Sequence, residues 1–440
     1  MADTPWGDSK TLRERRLPPG RATPREAVAE NQRRRLFAAL VAIVAEKGYA
    51  ATTIEDLVAL SGVSRKAFYE HFEDKRACFC AALEALVGDG VGLVRHNYDG
   101  DGDWEAGVHA GLAGFLTLLA AQPAAARLCF VDAYEAGSEA LALVEGAFDE
   151  FAAVVGAGLE RTPDREGMPG EIVRAIVGGL RQSIHARLAA GQAATLPELV
   201  EPLWSWGLSY RPPPAPLRGL GAGNGRGGAE RAGASAAQIA ECEADVAQRV
   251  LRGLAAVARE RGYREVTIGE IAARASLSLA TFYSYFPGGK EEAMLAALDT
   301  GSALMLAQTL PAYRRAHDWP HAVRAGLGAC FAFGVGEPDY AHLGAVEVYA
   351  GGPAALAQRD RIMEGLRGLI EPGFKQAPEA SPIAPEAIAG AVYALIHDQV
   401  RAKGPERLPE IAPLATYVVL CPFLGPEQAC EVANGDGRRR

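Results

Sequence analysis

Apolar side chains recur along this chain with the period of an α-helix. Leu36, Leu40, Ile43 and Val44 lie at positions i, i+4, i+7 and i+8, on one face of a helix that we expect to end at Gly48. Alternating runs of Val, Ile and Thr are scarce, whereas Ala is abundant. The pattern therefore predicts an all-α protein whose helices pack through small side chains.

The same pattern returns in the second half of the chain. The segment from Gly48 to Phe72 matches the segment from Gly262 to Phe286 with an offset of 214 residues. After one extra glycine in the second copy the offset becomes 215, and Trp104 returns as Trp319. A repeat of this kind indicates one unit of about 200 residues that is used twice.

The repeat divides the chain into two units, each with a head and a longer helical body. Between them, residues 211–238 are rich in Pro and then in Gly, which is typical of a linker. Three glycines of this segment fit a dinucleotide-binding spacing, but no strand precedes them. The predicted segments are a basic, flexible arm at 1–31, heads at 32–92 and 239–306, bodies at 93–210 and 307–430, the linker at 211–238 and a polar tail at 431–440.

Composition narrows the class of protein. The net charge is -9, which argues against a positive coat over the whole chain. Seven cysteines without a C-x-x-C spacing indicate neither a disulfide framework nor a zinc ribbon, and they fit a reducing cytosol. The most apolar segment, residues 110–121, has the length of a core helix, and no signal peptide is evident. We expect a cytoplasmic protein without a membrane segment.

Each head carries the signals of two short helices joined by a tight turn. Thr53 has the position of a helix N-cap with an acidic residue three positions later, and Thr267 repeats this arrangement. Gly62 permits a positive φ after the first of these helices, and Ser64 is the N-cap of the next. Two helices joined in this way are the arrangement of a helix-turn-helix.

The run TTIEDLVALSGVSRKAFYEHFEDK, residues 52–75, resembles the DNA-binding region of TetR/AcrR-type transcriptional regulators. The second copy keeps the order with departures: Ser276 replaces the turn glycine, Leu277 replaces valine, and an extra glycine precedes Lys290. The resemblance implies an all-α fold of two TetR-like units. Each unit would have a three-helix head and a helical body for ligand binding and dimerisation.

The resemblance implies that a recognition helix from Ser64 to Phe72 enters the major groove of double-stranded DNA. Arg65 and Lys66 are then the candidates to contact guanine, while Phe68 and Phe72 are expected to face inward. The other DNA-binding candidates implied for the first copy are Thr53, Ser64, Tyr69, His71 and Lys75, with Arg21 in the arm. Their counterparts in the second copy are Thr267, Ser278, Leu279, Ala280, Thr281, Tyr283, Tyr285 and Lys290.

The two recognition helices differ in charge. Leu279, Ala280 and Thr281 carry none, so they would contact thymine methyl groups rather than guanine, and the two heads are expected to read different bases. A second interpretation is that the second head has lost much of its affinity for DNA. The basic arm fits contact with phosphate or the minor groove, and it equally fits a disordered, solubilising tail.

The resemblance also implies a small-molecule pocket in each body and pairing of the last two helices of each unit. Because the chain holds two such pairs, we expect an intrachain pseudo-dimer, with a homodimer as the alternative. The aromatic candidates for the pocket are Trp104, Phe115, Phe130, Tyr134, Phe331, Phe333 and Tyr349, although such residues are more often core.

Two functional hypotheses follow. The first is a sequence-specific transcriptional regulator, a repressor released by a small-molecule effector, with two different heads on an asymmetric operator. The second is a ligand-binding or protein-interaction module with a weakened second head. No enzyme motif and no cofactor site is evident. His317 and His321 lie four residues apart, but Pro320 disfavours a continuous helix and no third ligand is evident, so we expect a surface turn and no metal.

Overall fold

The structure, a computed structural model, describes residues 3–17, 24–98, 104–160, 162–218 and 246–435. Within these ranges the chain is all-α, as the apolar pattern predicts. The first copy contains α1 (Arg25–Ala51), α2 (Ile54–Ser61), α3 (Arg65–His71), α4 (Lys75–Tyr98), α5 (Trp104–Ala121), α6 (Pro123–Arg127), α7 (Ala133–Ala136), α8 (Ser138–Leu159), α9 (Gly170–Ala189) and α10 (Val200–Leu208). The second contains α11 (Val246–Arg261), α12 (Ile268–Arg274), α13 (Leu279–Tyr285), α14 (Gly289–Arg314), α15 (Trp319–Gly336), α16 (Pro338–Ala345), α17 (Gly352–Ile370), α18 (Ala384–Lys403) and α19 (Ala412–Asn434).

The first head has helix ends that its own sequence sets. The Thr53 hydroxyl accepts a hydrogen bond from the Asp56 amide at 3.2 Å, and the Asp56 carboxylate accepts one from the Thr53 amide at 2.8 Å. Gly62 ends α2 with a φ of 66°, and the Ser64 hydroxyl accepts from the Ala67 amide to begin α3. These caps confirm the predicted boundaries of the helix-turn-helix.

The second head repeats the framework with one strained residue. Thr267 and Glu270 form the same capping box, and Ser278 caps α13. Ser276, which stands at the position of the turn glycine, has a φ of 57° and is the one non-glycine residue with positive φ in the described ranges. A side chain in this left-handed region costs about 1–2 kcal/mol, so the second turn is less favourable than the first.

Residues 3–17 fold onto the first head, which differs from the flexible arm expected from their charge. Leu12 is buried, and the ring of Trp6 lies 5.0 Å from the ring of Phe37. The Arg15 guanidinium donates to the Trp6 carbonyl at 2.7 Å. Two apolar side chains outweigh the basic composition here, because their burial favours an ordered segment. The first helix also begins at Arg25, earlier than the head predicted from residue 32.

The described chain forms two compact units that do not coincide with the two copies. The first comprises Met1–Pro163 and Arg181–Trp204, and the second comprises Asp164–Leu180 and Ser205–Arg440. Two segments of the first copy therefore belong to the second unit, an assignment that sequence repetition alone could not reveal.

The first residues of the predicted linker are part of the second unit. The Tyr417 hydroxyl donates to the Arg211 carbonyl at 2.7 Å, and the Asn434 side chain accepts from the Arg218 amide at 2.8 Å. Residues 219–238 of the linker lie outside the described residues. Asn434 ends α19, so this helix continues past residue 431, where the polar tail was predicted to begin.

Long helices rich in Ala and Leu build both bodies. In the first, α4 packs against α5 and α8, and a π-helical turn at Leu128–Asp132 joins α6 to α7. In the second, α14 packs against α15 and α17, and α15 packs against α19. Trp104–Ala121, Gly289–Arg314 and Pro405–Asn434 are long and apolar enough to span a bilayer by length and composition. The absence of a membrane segment stays a prediction.

Candidate nucleic-acid interface and ligand cavity

The recognition helix α3 presents its polar side to solvent. Arg65, Lys66 and Tyr69 are exposed, whereas Phe68 is fully buried. The Arg65 guanidinium lies 5.9 Å from the centre of the Tyr69 ring, and the Lys66 ammonium lies 3.8 Å from the Glu70 carboxylate. The outer face of α3 therefore carries two accessible cations of the kind that contact base edges and phosphates.

The equivalent helix α13 presents an apolar face. Leu279, Tyr283 and Tyr285 are among the exposed large hydrophobic side chains, at 52%, 48% and 45% exposure. Thr281 directs its hydroxyl to Ser278, with 2.9 Å between the two side-chain oxygens. Ala280 is exposed as well. This surface lacks a cation, and its methyl and ring groups suit apolar contact rather than paired hydrogen bonds to guanine.

His71 lies at the end of α3 and contacts the first helix. Its Nε2 atom is 2.8 Å from the side-chain oxygen of Gln32. Burial, and then the positive charge of Arg33, lowers the pKa of His71. The side chain is therefore held against α1, and its contact with DNA stays a prediction.

Lys75 and Lys290 hold the turn that ends the first helix of each head. The Lys75 ammonium donates at 2.8 Å to the carbonyls of both Tyr49 and Thr52. Lys290 repeats this arrangement with the carbonyls of Tyr263 at 3.1 Å and Val266 at 2.8 Å. Burial lowers the pKa of both ammonium groups. Both lysines position the heads in this way, and a phosphate contact by either stays a prediction.

Two arginines anchor the turn of the first helix-turn-helix, and sequence reasoning missed this role. Arg13 Nε donates to the Ala59 carbonyl at 3.0 Å, and Arg35 Nη1 donates to the Ser61 carbonyl at 2.9 Å. Both carbonyls lie at the C-terminal end of α2, where cations are favourable. Their spacing in the sequence gives no signal of this, because Arg13 is remote from α2. Arg21, the DNA-contact candidate in the arm, lies outside the described residues.

A cavity of ≈ 180 Å³ lies within the second body. Its walls come from α14 to α19 and are mostly apolar, and they include the predicted pocket residues Phe331 and Phe333. The third candidate of this body, Tyr349, does not line the cavity, and its hydroxyl accepts from Arg359 Nη1 at 3.3 Å. A concave, mostly apolar space with a few polar groups is the usual form of a small-molecule site.

Thr309 and Arg359 are two of the polar side chains that line the cavity. The Thr309 hydroxyl is buried and has no hydrogen-bond partner among the described residues. Arg359 is buried too, and it pairs with the Asp360 carboxylate at 2.8 Å and lies 5.4 Å from the centre of the Tyr393 ring. A ligand with a largely apolar body and one hydrogen-bonding group would match these walls, because it would satisfy the Thr309 hydroxyl.

The aromatic candidates of the first body contact one another and a cation. The ring centres of Phe115 and Phe130 lie 6.3 Å apart, and Arg181 Nη2 donates to the Tyr134 hydroxyl at 2.6 Å. Trp104 has its indole N–H buried without a partner among the described residues. Tyr134 and Tyr349 are equivalent in the repeat, yet the arginines that donate to their hydroxyls, Arg181 and Arg359, lie on the non-equivalent helices α9 and α17. A pocket role for these four residues stays a prediction.

Each copy places an acidic residue on the body where it meets the head, at equivalent positions. The Glu347 carboxylate accepts from the Tyr263 amide of the second head at 2.7 Å. Asp132 is almost fully buried, lies 3.6 Å from Arg127 Nε, and has no hydrogen bond to either oxygen among the described residues. Burial raises the pKa of Asp132 to about 7. Asp132 and Glu347 are 215 positions apart, the offset of the repeat, and this recurrence of an acidic residue is the sequence signal that could have identified both.

The His317 and His321 pair acquires a third neighbour in the structure. Pro320 does not break α15, because it lies in the first turn of this helix, and Asp318 is the N-cap. The Asp318 carboxylate accepts from the His321 amide at 2.9 Å, and its two oxygens lie 2.7 Å from His321 Nδ1 and 3.1 Å from His317 Nε2. One potential ligand atom from each of the three residues falls within 4.8 Å of the others. Helix capping accounts for this exposed cluster.

Comparison with known families and proteins agrees with the geometry of the heads. The family described as bacterial regulatory proteins, tetR family, matches residues 36–82 and 250–297. The uncharacterized HTH-type transcriptional regulator YerO of Bacillus subtilis (strain 168) is 37% identical over 65 residues, which are 15% of this chain and 22% of that protein. The chain thus spans about a fifth of the length of this curated relative.

Two solved structures are similar to part of the chain. The fatty acid degradation regulator FadR from Bacillus halodurans aligns over 40% of this chain and 94% of its own, with 17% identity and a TM-score of 0.38. The transcriptional regulator FadR from Bacillus subtilis, in complex with stearoyl-CoA, aligns over 40% of this chain and 97% of its own, with 14% identity and a TM-score of 0.37. Both helix-turn-helix heads match the same family model, so the chain carries the DNA-binding domain of the tetR family twice, at residues 36–82 and 250–297.

Proposed function

We propose that this protein is a sequence-specific, DNA-binding transcriptional regulator that acts in the cytoplasm as a repressor and has no enzymatic activity. One observation carries the proposal: both heads expose a recognition helix on a buried framework. Arg65 and Lys66 face solvent on α3, and the equivalent positions face solvent on α13. The repeat of the framework in both copies is expected if both heads serve to present this helix to DNA.

The operator is proposed to be asymmetric. The first head offers two cations for guanine or phosphate, and the second offers Leu279 and exposed tyrosines for apolar contact. Two identical half-sites would leave one of these surfaces mismatched. An operator with a guanine-containing half and a thymine-rich half suits both.

An intrachain pseudo-dimer is proposed to bring the two heads to one operator. Within the second unit, α9 of the first copy packs closely on α18 of the second: a Cβ added at Gly179 would lie 2.5 Å from the Ala387 carbonyl oxygen. The Tyr210 hydroxyl donates to the Val418 carbonyl at 2.9 Å. These contacts join the last helices of both copies, which supports one chain per functional protein.

The cavity of the second body is proposed to bind the effector. Its apolar walls, and the Thr309 hydroxyl that has no hydrogen-bond partner within the described parts of the chain, favour an apolar small molecule with one hydrogen-bonding group. Release of the operator requires that the effector bind the DNA-free conformation more tightly than the DNA-bound one. Tight binding without such a difference would leave repression unchanged.

Footprinting at the protein's own promoter region tests the proposal. We expect one protected site that lacks two-fold symmetry, and an affinity that falls steeply as salt rises, because phosphate contacts release counterions. The absence of both a specific site and salt-dependent binding would contradict a regulator. A mass of 46.4 kDa in solution is expected for the pseudo-dimer, whereas twice this mass supports the homodimer.

The exposed apolar surface of α13 favours a second candidate function, a ligand-binding or protein-interaction module with a weakened second head. Leu279 is 52% exposed without any neighbouring cation on its helix. Under this alternative the footprint covers the contacts of the first head alone, and substitutions on α13 leave DNA affinity unchanged.

A further inference from the structure

Residues 344–349 are one place where the cavity of the second unit and its head meet, beside the packing of α11 against α14 and α16. Gly344, Ala345 and Val348 line the cavity. Glu347 lies between them in sequence, yet its carboxylate accepts from the Tyr263 amide of the head at 2.7 Å. A displacement of this wall therefore moves a carboxylate that holds the head.

Cavity-lining and buried side chains of α18 hold the same segment from the other side. The Tyr393 hydroxyl donates to the Gly344 carbonyl at 3.0 Å, and Tyr393 itself lines the cavity. His397 Nδ1 lies 2.8 Å from the Ala345 carbonyl oxygen. A ligand in the cavity would therefore contact both the segment and Tyr393, which holds the segment in place.

On the head side, the contact falls on the turn that leads into the helix-turn-helix. Glu347 holds the amide of Tyr263, while Lys290 holds the carbonyls of Tyr263 and Val266. Thr267, the next residue, is the N-cap of α12, and α12 packs against the recognition helix α13. The orientation of α13 therefore depends on a turn that Glu347 and Lys290 fix together.

The first copy lacks this hydrogen bond. Asp132 occupies the equivalent position with a side chain one methylene shorter, and its oxygens have no hydrogen-bond partner among the described residues. The lysine that holds the turn is present in both copies, as Lys75 and Lys290. The acidic contact is thus the part of the connection that differs between the copies.

We propose that Glu347 is the positioning residue through which occupancy of this cavity sets the orientation of the second head. The second head is then the ligand-responsive one, and the first head holds DNA outside this control. This inference rests on the proposed regulator and assigns its regulation to one head and one contact.

Amide hydrogen exchange of the full chain, without DNA, tests the coupling. Gly344→Leu serves as the probe of occupancy, because Gly344 lines the cavity and a Cβ added there meets no heavy atom within 4 Å. We expect exchange in residues 263–275 to change at least threefold and exchange in residues 49–61 to stay unchanged. Gly328→Leu is the matched control, since Gly328 has the same open surroundings but does not line the cavity.

Substitution of Glu347 decides whether this residue carries the effect. In a Glu347→Ala background, Gly344→Leu is expected to leave residues 263–275 unchanged, whereas Glu347→Gln, which keeps an acceptor oxygen, retains the response. An effect that persists in Glu347→Ala, or that appears equally in both heads, overturns the proposal. If leucine is not accommodated, Gly344→Ala tests the same direction of change.

The proposed function and the proposed coupling can each be contradicted without the other. Exchange is read without DNA, so a protein that binds no operator would contradict the proposed function and still report on the coupling. Conversely, a protein that binds its operator normally but shows no Glu347-dependent response contradicts this inference alone.

Discussion

The two heads of this chain have equivalent interiors and different surfaces. Phe68 and Phe282 are both fully buried at equivalent positions, and both heads begin their second helix with a threonine capping box. On the outer face, Arg65 in the first head corresponds to Leu279 in the second. The packed interior restricts substitution, because a change of side-chain volume there lowers stability by several kcal/mol. Substitutions on the exposed face have no such cost in stability.

The heads also differ in their attachment to the bodies. Glu347 accepts a hydrogen bond from the second head, while the buried Asp132 makes none among the described residues. The two heads therefore keep the same packed interior and capping boxes, and they differ at two surfaces, the outer face of the recognition helix and the contact with the body. The following substitutions test whether the interiors of the two heads are equivalent and whether their surfaces differ in function.

The largest expected effect concerns the shared interior. Phe68→Ala and Phe282→Ala should each destabilise the protein by about 3–5 kcal/mol, because each removes a fully buried ring. Urea unfolding followed by circular dichroism measures both. Clearly unequal losses would show that the two frameworks are not equivalent.

The next effect concerns the divergent outer face. Arg65→Ala with Lys66→Ala should weaken operator binding by about 2–4 kcal/mol, roughly 30- to 1,000-fold, because two charged contacts to DNA are lost. Fluorescence anisotropy at several salt concentrations should also show a shallower salt dependence. The matched pair in the second head, Leu279→Ala with Thr281→Ala, should cost less than about tenfold. Equal losses in both pairs would contradict the proposed difference in reading.

A pH-dependent effect concerns Asp132, the counterpart of Glu347 in the first copy. The pKa of Asp132 is raised to about 7, so between about pH 4 and 7 the folded protein holds a proton that the unfolded chain has released. Stability is therefore lost as pH rises through this range. Asp132→Asn should remove this loss and stabilise the protein at pH 8 by on the order of 2–3 kcal/mol, with little change near pH 4.

Thermal unfolding at pH 4, 6 and 8 measures the effect of Asp132→Asn. The matched variant Glu347→Gln is expected to give a smaller gain at pH 8, because burial raises the pKa of Glu347 as well, but the hydrogen bond from the Tyr263 amide opposes this rise. A stability difference between Asp132→Asn and the natural chain that is the same at all three values would contradict the assignment.

The smallest effect concerns the turn. Ser276→Gly should stabilise the second head by about 1 kcal/mol, because glycine adopts the positive φ of 57° without strain. The reverse substitution in the first head, Gly62→Ser, should destabilise that head by at least a similar amount, because the added Cβ would also lie 3.0 Å from the Arg13 side chain. We expect the two substitutions to shift the thermal midpoint in opposite directions. Shifts in the same direction would contradict the proposed difference in strain between the two turns.

Much of the heads could be predicted from sequence. Thr53, Gly62 and Ser64 act on amides and dihedral angles within a few residues, so their roles follow from local spacing. The arm could not be predicted, because its order depends on Trp6 and Leu12 reaching the first head, which charge counting ignores. Arg65 and Lys66, the proposed DNA contacts, lie exposed as the motif implies, whereas Arg13 and Arg35 contact the turn from remote positions.

The sequence by itself determined the all-α class, the duplication, the caps of both helix-turn-helix motifs and the charge difference between α3 and α13. These features depend on periodicity, on identity at a fixed offset and on hydrogen bonds between residues a few positions apart. Only the tertiary structure decided that segments of the first copy belong to the second unit, that the second body encloses a cavity, and that Glu347 contacts Tyr263. Such features depend on which distant helices pack together, and the partner of a buried charge is fixed only by that packing.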